Sequence, residues 1–441
     1  MNITIYRAAP LTPDIPAHEW QLPEGFPYLV DDDSLEVIEP ALLYLSARFT
    51  LRGKYKAENT LEAAAYDLCD WFRFIGDDGT AGRSWTDVDA SVVARYRDAR
   101  LTTVSPQTHE LRAPKTVRRR VARALDFYDW ARSAGHFEGR MDMSDVRTVP
   151  SSMDNAVLAH TYSSSAFTQQ AVSTMLPEDK STLDEHVEIL TADEWVQVRA
   201  ELGPLPSRAL KDGDLRPSRD RIAAELSIST GLRVDEVAQL TIYQILDLRV
   251  PDDASDSDII RLKVTKTKRL VPRTVEVPAY LVKELQLYID GERNLALAEA
   301  KKYWLRGKTP KPGAMFVNGT SARNHAGRAI KADTLTRAFH DAVIRAGLVC
   351  TVEKTDPETG QHYTASAGRF WFHCLRHTFA MFMYRAEKAA GNAEPWKVIQ
   401  SLLGHKFLST TLNTYLKHAQ DDRRAVNAIV FSAIREKFSG H

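Results

Sequence analysis

Between Trp371 and Tyr415 four residues of reactive type fall close together. His373 and Arg376 stand three apart, His405 follows Gly404, and Tyr415 comes ten residues later. An imidazole exchanges protons near neutral pH, a guanidinium grips oxyanions through paired N–H groups, and a phenol is an alcohol-type nucleophile once deprotonated. Taken singly, each has a plainer account. H-x-x-R recurs by chance, a histidine at a helix end is more often a cap, and a lone tyrosine there is normally core.

The elements around these residues hold them in fixed places. His373 and Arg376, at i and i+3, project from one face of a helix. Pro395 fits the first position of the next helix, Val398, Ile399, Leu402 and Leu403 give its apolar face, and Gly404 ends it. His405 therefore sits at a corner, and Ser409, Thr410 and Thr411 offer caps for a helix carrying Tyr415.

Upstream, Thr191 and Glu194 have capping-box spacing at the start of a domain. The segment RDRIAAELSISTGLRVDEVAQL carries a helical apolar stripe broken at Thr230-Gly231, which places Arg233 at the head of a new helix. After it, Ile260, Leu262 and Val264, then Val271, Val275 and Val277, alternate as two strands about a turn bearing Lys266 and Lys268. The stretch from Arg261 to Arg273 holds six basic residues and no acid. Helices resume from Ala279 to about Tyr303 and from Lys331 to Gly347. Residues 350–369 form a polar insertion.

The first half reads as a helical bundle over residues 36–136. Its helices are marked by Leu42, Leu43, Leu45 and Phe49; by Leu61 to Ile75, entered through Asn59-Thr60; by Val92, Val93 and Tyr96; and by Val117, Val121, Leu125 and Tyr128, stopping at Gly135. Phe127 and Tyr128 read as core. Arg118, Arg119 and Arg120 on the last helix either face solvent or bond phosphates and give salt-dependent nucleic-acid affinity. Residues 1–35, rich in proline and acid, read as a loosely attached arm. The polar, serine-rich stretch 137–187 reads as a linker.

Composition bounds the rest. The chain has 441 residues, 44% of them hydrophobic and 26% charged, enough for two or three domains with a large core. Lys plus Arg equals Asp plus Glu at 58 each, so any basic face comes from distribution and not from net charge. Cys69, Cys350 and Cys374 are too few and scattered for a disulfide framework or a cysteine-based zinc site, and read as small buried apolar side chains. No apolar run reaches the ~20 residues of a membrane span, and the N-terminus lacks a signal-peptide layout. The expected compartment is the cytoplasm.

Taken together, GLRVDE, TKTKR, HCLRHT, LLGH and STTLNTY occur in an order that resembles the tyrosine recombinase, or phage integrase, family. The resemblance covers about 187–420, and the helical first domain with its basic last helix is similar to that family's core-type DNA-binding domain. It implies a mainly α fold with a small antiparallel β-sheet: an arm (1–35), a DNA-binding bundle (36–136), a linker (137–187), an α+β catalytic domain (188–420) and a C-terminal helix (421–441). By the same resemblance Arg233, Lys266, His373, Arg376, His405 and Tyr415 are the active-site positions, with Lys268 an alternative to Lys266 or a DNA contact. Glu236 supports Arg233, and Arg118, Arg119 and Arg120 contact DNA.

The implied activity is site-specific cutting and rejoining of duplex DNA by a homo-multimer, a tetramer on DNA, with no metal, cofactor or ATP. A phosphodiester attacked at phosphorus gains charge, which two arginines stabilise at the non-bridging oxygens. At pH 7 roughly one phenol in a thousand is ionised, so the site must activate Tyr415. His373 is placed as base or phosphate partner, His405 as donor to a non-bridging oxygen, and Lys266 as acid for the departing 5′ oxygen. Type IB topoisomerase-like relaxation is one alternative, and a DNA-binding protein with a decayed site is another. Val426, Ile429, Val430 and Ile434 lie on one face of the last helix, which docks on a neighbouring subunit or on its own domain.

Overall fold

The computed structural model describes residues 2–9, 22–50, 58–77, 84–139, 144–150, 167–173, 175–177, 187–265, 272–303, 313–404, 411 and 414–415. Lys266, Lys268, His405 and the expected C-terminal helix lie outside the described residues. The chain divides into two compact units, the first comprising 1–153, 157–185 and 353–364, the second 154–156, 186–352 and 365–441.

In the first unit, β1 (Ile3–Arg7), β2 (Pro27–Asp31) and β3 (Glu36–Val37) form an antiparallel sheet in that order, with Ile3 opposite Asp31 and Val30 opposite Val37. These residues correct the expectation of a loose arm. Ile3 is fully buried, and its carbonyl accepts from Arg73 Nε at 2.8 Å and from the Cys69 thiol at 3.4 Å. The apolar alternation that drives this pairing spans only five residues in each strand, too short a run to stand out between prolines.

Helices α1 (Glu39–Phe49), α2 (Glu58–Asp77), α3 (Ala90–Thr102) and α4 (Pro114–Ser133) follow where the apolar stripes place them. Asp89 caps α3 by accepting from the N–H groups of Ser91 and Val92, and Pro114 opens α4. Helix α2 starts at Glu58, so Asn59 and Thr60 fall within its first turn. Aromatic rings fill the centre: Trp71 meets Tyr96 edge-on at 5.0 Å and Tyr128 at 5.9 Å, and Tyr44 meets Phe127 at 5.6 Å. Phe127 and Tyr128 are core, as their spacing indicates.

Part of the expected linker is strand instead: β4 (Ser144–Pro150) pairs antiparallel with β5 (Phe167–Ser173). Residues 353–364 complete this unit. There the Thr355 N–H donates to His109 O at 2.7 Å, Lys354 Nζ donates to Thr108 O at 2.7 Å, and Tyr363 Oη bonds His109 Nδ1 at 2.8 Å.

The second unit runs α5 (Ala192–Glu201), α6 (Pro206–Asp212), α7 (Arg219–Thr230), α8 (Val234–Ala238), α9 (Ile242–Leu246), β6 (Ile259–Val264), β7 (Arg273–Pro278), α10 (Ala279–Tyr288), α11 (Asn294–Ala300), α12 (Ala332–Arg345), α13 (Phe372–Ala389) and α14 (Pro395–Leu403), and between α12 and α13 strands β8 (Val349–Thr355) and β9 (His362–Gly368) have residues 353–364 in the first unit and the rest in the second. A π-helical turn joins α10 to α11. The Thr191–Glu194 capping box is formed at 2.8 and 3.2 Å. Strands β6 and β7 pair antiparallel with Leu262 opposite Val275, and Leu262, Val264, Val275 and Val277 are the buried face that their alternation calls for. The insertion at 350–369 is largely the β8–β9 pair. Cys69 and Cys374 are buried, but Cys350 is exposed on β8, since that strand carries no apolar face to bury it.

The fold is therefore mainly α with small antiparallel sheets. Among the described residues no helix is long and apolar enough to cross a membrane.

Candidate active site

Gly231 ends α7 in the left-handed conformation, φ +69°, and a β-carbon there would meet the Phe379 ring at 2.6 Å. Only glycine fits both demands. The turn delivers Arg233 to the head of α8, where Glu236, three residues on, accepts the Arg233 backbone N–H at 2.9 Å and lies 3.4 Å from its Nη1. Glu236 is 2% exposed. Its second strong partner is Arg273 at the start of β7, whose Nη2 donates at 2.7 Å while Nη1 donates to the Leu402 carbonyl at 2.7 Å.

Arg376, also 2% exposed, reaches from α13 to the same place. Its Nη1 donates to the Gly231 carbonyl and its Nη2 to the Leu403 carbonyl at 2.7 Å. Carbonyls at the ends of α7 and α14 are acceptors that helix geometry leaves over, so two helix ends fix the guanidinium plane. Gly404 then closes α14 at φ +66°, as its sequence position indicates.

Among the described residues, three guanidiniums (Arg233, Arg273, Arg376) thus meet one buried carboxylate, Glu236, leaving two positive charges in excess. Burial, with the charges of Arg233 and Arg273 beside it, pushes Arg376 down to about 9, still protonated at neutral pH. Burial also lowers Arg273, against the pull of Glu236. Partly buried excess charge is costly unless an anion completes it. The arrangement suits a phosphate or another oxyanion.

Tyr415 stands beside this cluster. It is 1% exposed, packed with Phe379, Ala380, Met381, Tyr384, Ile399 and Leu403, and its ring lies nearly parallel to that of Trp396 at 6.4 Å. Burial pushes its hydroxyl up to about 12, while Arg376 and Arg233 pull it the other way. Its Oη is hydrogen-bonded to Nδ1 of His377 at 2.8 Å. His373, one turn earlier on α13 and exposed, meets the His377 ring edge-on at 4.6 Å.

Of the residues singled out in the sequence, Arg233, Glu236 and Arg376 converge at one point, and Tyr415 and His373 flank it through His377. Arg273 and His377 had not been assigned. Arg273 was visible as the end of the acid-free run from Arg261, and His377 as the second histidine of HCLRHT, at i+4 from His373. In the first unit, Arg118 donates to the Pro177 carbonyl at 2.8 Å, Arg119 pairs with Asp67, and Arg120 pairs with Asp70 at 2.8 Å. Asp70 is shared with Arg100 and with the Tyr96 hydroxyl.

Residues 207–422 match the family model described as phage integrase family. Over these residues the chain is similar to the phage integrase family of tyrosine recombinases. The tyrosine recombinase XerC of Halalkalibacterium halodurans is 23% identical over 291 residues, 61% of this chain and 80% of that protein. Among solved structures, the chain is similar to the XerH site-specific recombinase bound to a palindromic difH substrate, at 16% identity and TM-score 0.46, covering 83% of this chain and 79% of that one. A lambda integrase (75–356) dimer bound to a COC′ core site gives 16% identity and TM-score 0.46, covering 86% and 94%.

Proposed function

We propose that this protein cuts and rejoins duplex DNA at specific sites through a covalent 3′-phosphotyrosyl link at Tyr415. The observation that carries the reading is the gathering of three guanidiniums, Arg233, Arg273 and Arg376, around the buried carboxylate of Glu236, beside a buried tyrosine within the electrostatic reach of Arg376 and Arg233. Arg233 and Arg376 bind the non-bridging oxygens of the scissile phosphate and stabilise the charge that grows there. Glu236 holds Arg233 in place, and Arg273 ties Glu236 to the end of α14. The Tyr415 phenolate attacks phosphorus, forming the O–P bond as the bond to the 5′ oxygen breaks.

The departing 5′ oxygen takes a proton from Lys266 or Lys268, His405 donates to a non-bridging oxygen, and His373 takes the proton of the Tyr415 phenol or partners the phosphate. Because the phosphotyrosyl bond conserves the energy of the phosphodiester, attack by a second 5′ hydroxyl reverses the step without ATP or metal. The bundle at 36–136 grips DNA, with Arg118, Arg119 and Arg120 at the phosphates, and the active species is a homo-multimer, a tetramer, on its site in the cytoplasm. The expected C-terminal helix couples assembly to the placing of Tyr415.

A nicked suicide duplex, which loses a short strand on cleavage and traps the intermediate, tests this. Wild-type protein accumulates a DNA adduct, whereas Tyr415→Phe binds the same duplex with equal affinity and accumulates none. An adduct of undiminished yield in the variant removes Tyr415 as the nucleophile.

A further inference from the structure

We propose that His377 positions the nucleophile, holding the Tyr415 hydroxyl with its proton turned toward α13. The inference rests on the reading of Tyr415 as the attacking group and adds a residue to it.

A buried phenol needs a hydrogen-bond partner, and His377 Nδ1 supplies one at 2.8 Å. The imidazole is itself constrained. His373 meets it edge-on at 4.6 Å, and the Tyr415 ring lies at 67° to it at 5.5 Å. The helix beneath is anchored on both sides of His377: Arg376 reaches the ends of α7 and α14, and the Thr378 hydroxyl accepts the Leu190 N–H at 2.9 Å. Arg376 and His377 are consecutive on α13. One rigid turn of helix therefore carries both the phosphate grip and the partner of the nucleophile, and fixes the distance between them.

The chemistry of the contact sets its direction. A phenol oxygen has one hydrogen and two lone pairs. With His377 neutral and Nδ1 unprotonated, the phenol donates to it, and a lone pair is left to face the phosphorus held by Arg233 and Arg376. In the opposite tautomer an N–H would occupy an oxygen lone pair and weaken the nucleophile. His377 thus acts through Tyr415, without itself touching DNA.

The test is single-turnover cleavage of the nicked suicide duplex by His377→Phe and His377→Asn, with DNA affinity measured for each. Phe keeps an aromatic ring but offers no acceptor, and its cleavage rate falls about tenfold or more at unchanged affinity, the worth of one hydrogen bond to the reacting oxygen. Asn presents a side-chain carbonyl near the place of Nδ1 and recovers the rate to within about threefold of wild type. If Phe lost affinity through misfolding, His377→Ala would stand in the same comparison. Cleavage by the acceptor-less variant as fast as or faster than wild type overturns the proposal, since the contact would then be idle or a restraint. An Asn variant as slow as Phe also overturns it, because proton uptake and not placement would be the need. Tyr415→Phe run in parallel separates the two layers: an adduct there refutes the nucleophile assignment whatever His377 does.

Discussion

Replacing Glu236 by Gln removes the one negative charge among three guanidiniums and keeps the shape of the side chain. The carboxylate accepts the Arg233 backbone N–H at 2.9 Å and Arg273 Nη2 at 2.7 Å, and it is almost fully buried. An amide retains one acceptor oxygen and turns an NH2 group toward the remaining donor. Each hydrogen bond to a charged group is worth about 1.5–3 kcal/mol, and removing one partner of a buried ion pair costs about 3–5 kcal/mol. With the Arg273 side chain 14% exposed, little solvent reaches in to soften the loss. A destabilisation of about 3 kcal/mol is expected, which for a unit of this size lowers the melting temperature by about 6–12 °C. Thermal unfolding followed by circular dichroism reads it, with exposed Asp235→Asn as the control, expected within about 0.5 kcal/mol of wild type. A Glu236→Gln protein melting within about 2 °C of wild type would refute the reasoning, because it would mean that the guanidiniums do not depend on that charge. Cleavage should also fall, by about 10²–10³ if Arg233 loses its grip on the transition state.

Three further outcomes follow from the packing. Gly231→Ala combines a left-handed φ with a β-carbon 2.6 Å from the Phe379 ring, so a loss of at least about 2 kcal/mol in urea titration is expected, with cleavage falling too because the Gly231 carbonyl holds Arg376. A variant as stable as wild type would contradict the strained turn. Arg119→Gln with Arg120→Gln strips buried Asp67 of its partners and Asp70 of one, so the first unit loses about 3 kcal/mol even without DNA; a salt slope of DNA binding that is flattened at full stability would instead assign these arginines to phosphate alone. For pH, Tyr415 is neutral when folded and ionises at about 12 against 10 for a free phenol. Its contribution to stability is whole below pH 10 and is lost as pH rises through about 12. Spectrophotometric titration of wild type minus Tyr415→Phe should therefore show a phenol with its midpoint near 12, and a midpoint at 10 would contradict the burial.

Much of this architecture was legible because its signals are local. The break at Thr230-Gly231, the Leu262/Val275 alternation and the Pro395–Gly404 bounds of α14 each depend on a few neighbouring residues. What escaped depends on distant partners. The strand at Ile3 is stabilised by Asp31 across the sheet and by Arg73 on a helix, so its five residues alone read as an arm. Arg273 looked like one more charge in a basic run until its carboxylate partner, Glu236, and the Leu402 carbonyl were seen together. His377 is the sharpest case. As a residue type it was no different from His373 one turn away, and only the packing of Tyr415 against α13 distinguishes them. The arginines on α4 show the converse, a legible cluster whose guanidiniums turn out to be engaged with Asp67, Asp70 and the Pro177 carbonyl.

The central claim is a bond, and mapping that bond tests it most directly. Adduct trapped on the suicide duplex, digested with trypsin and sequenced by mass spectrometry, should carry its nucleotide on the peptide containing Tyr415, joined through a 3′ phosphate and leaving a free 5′ hydroxyl on the released strand. A nucleotide on any other residue, or a link through a 5′ phosphate, would contradict the account.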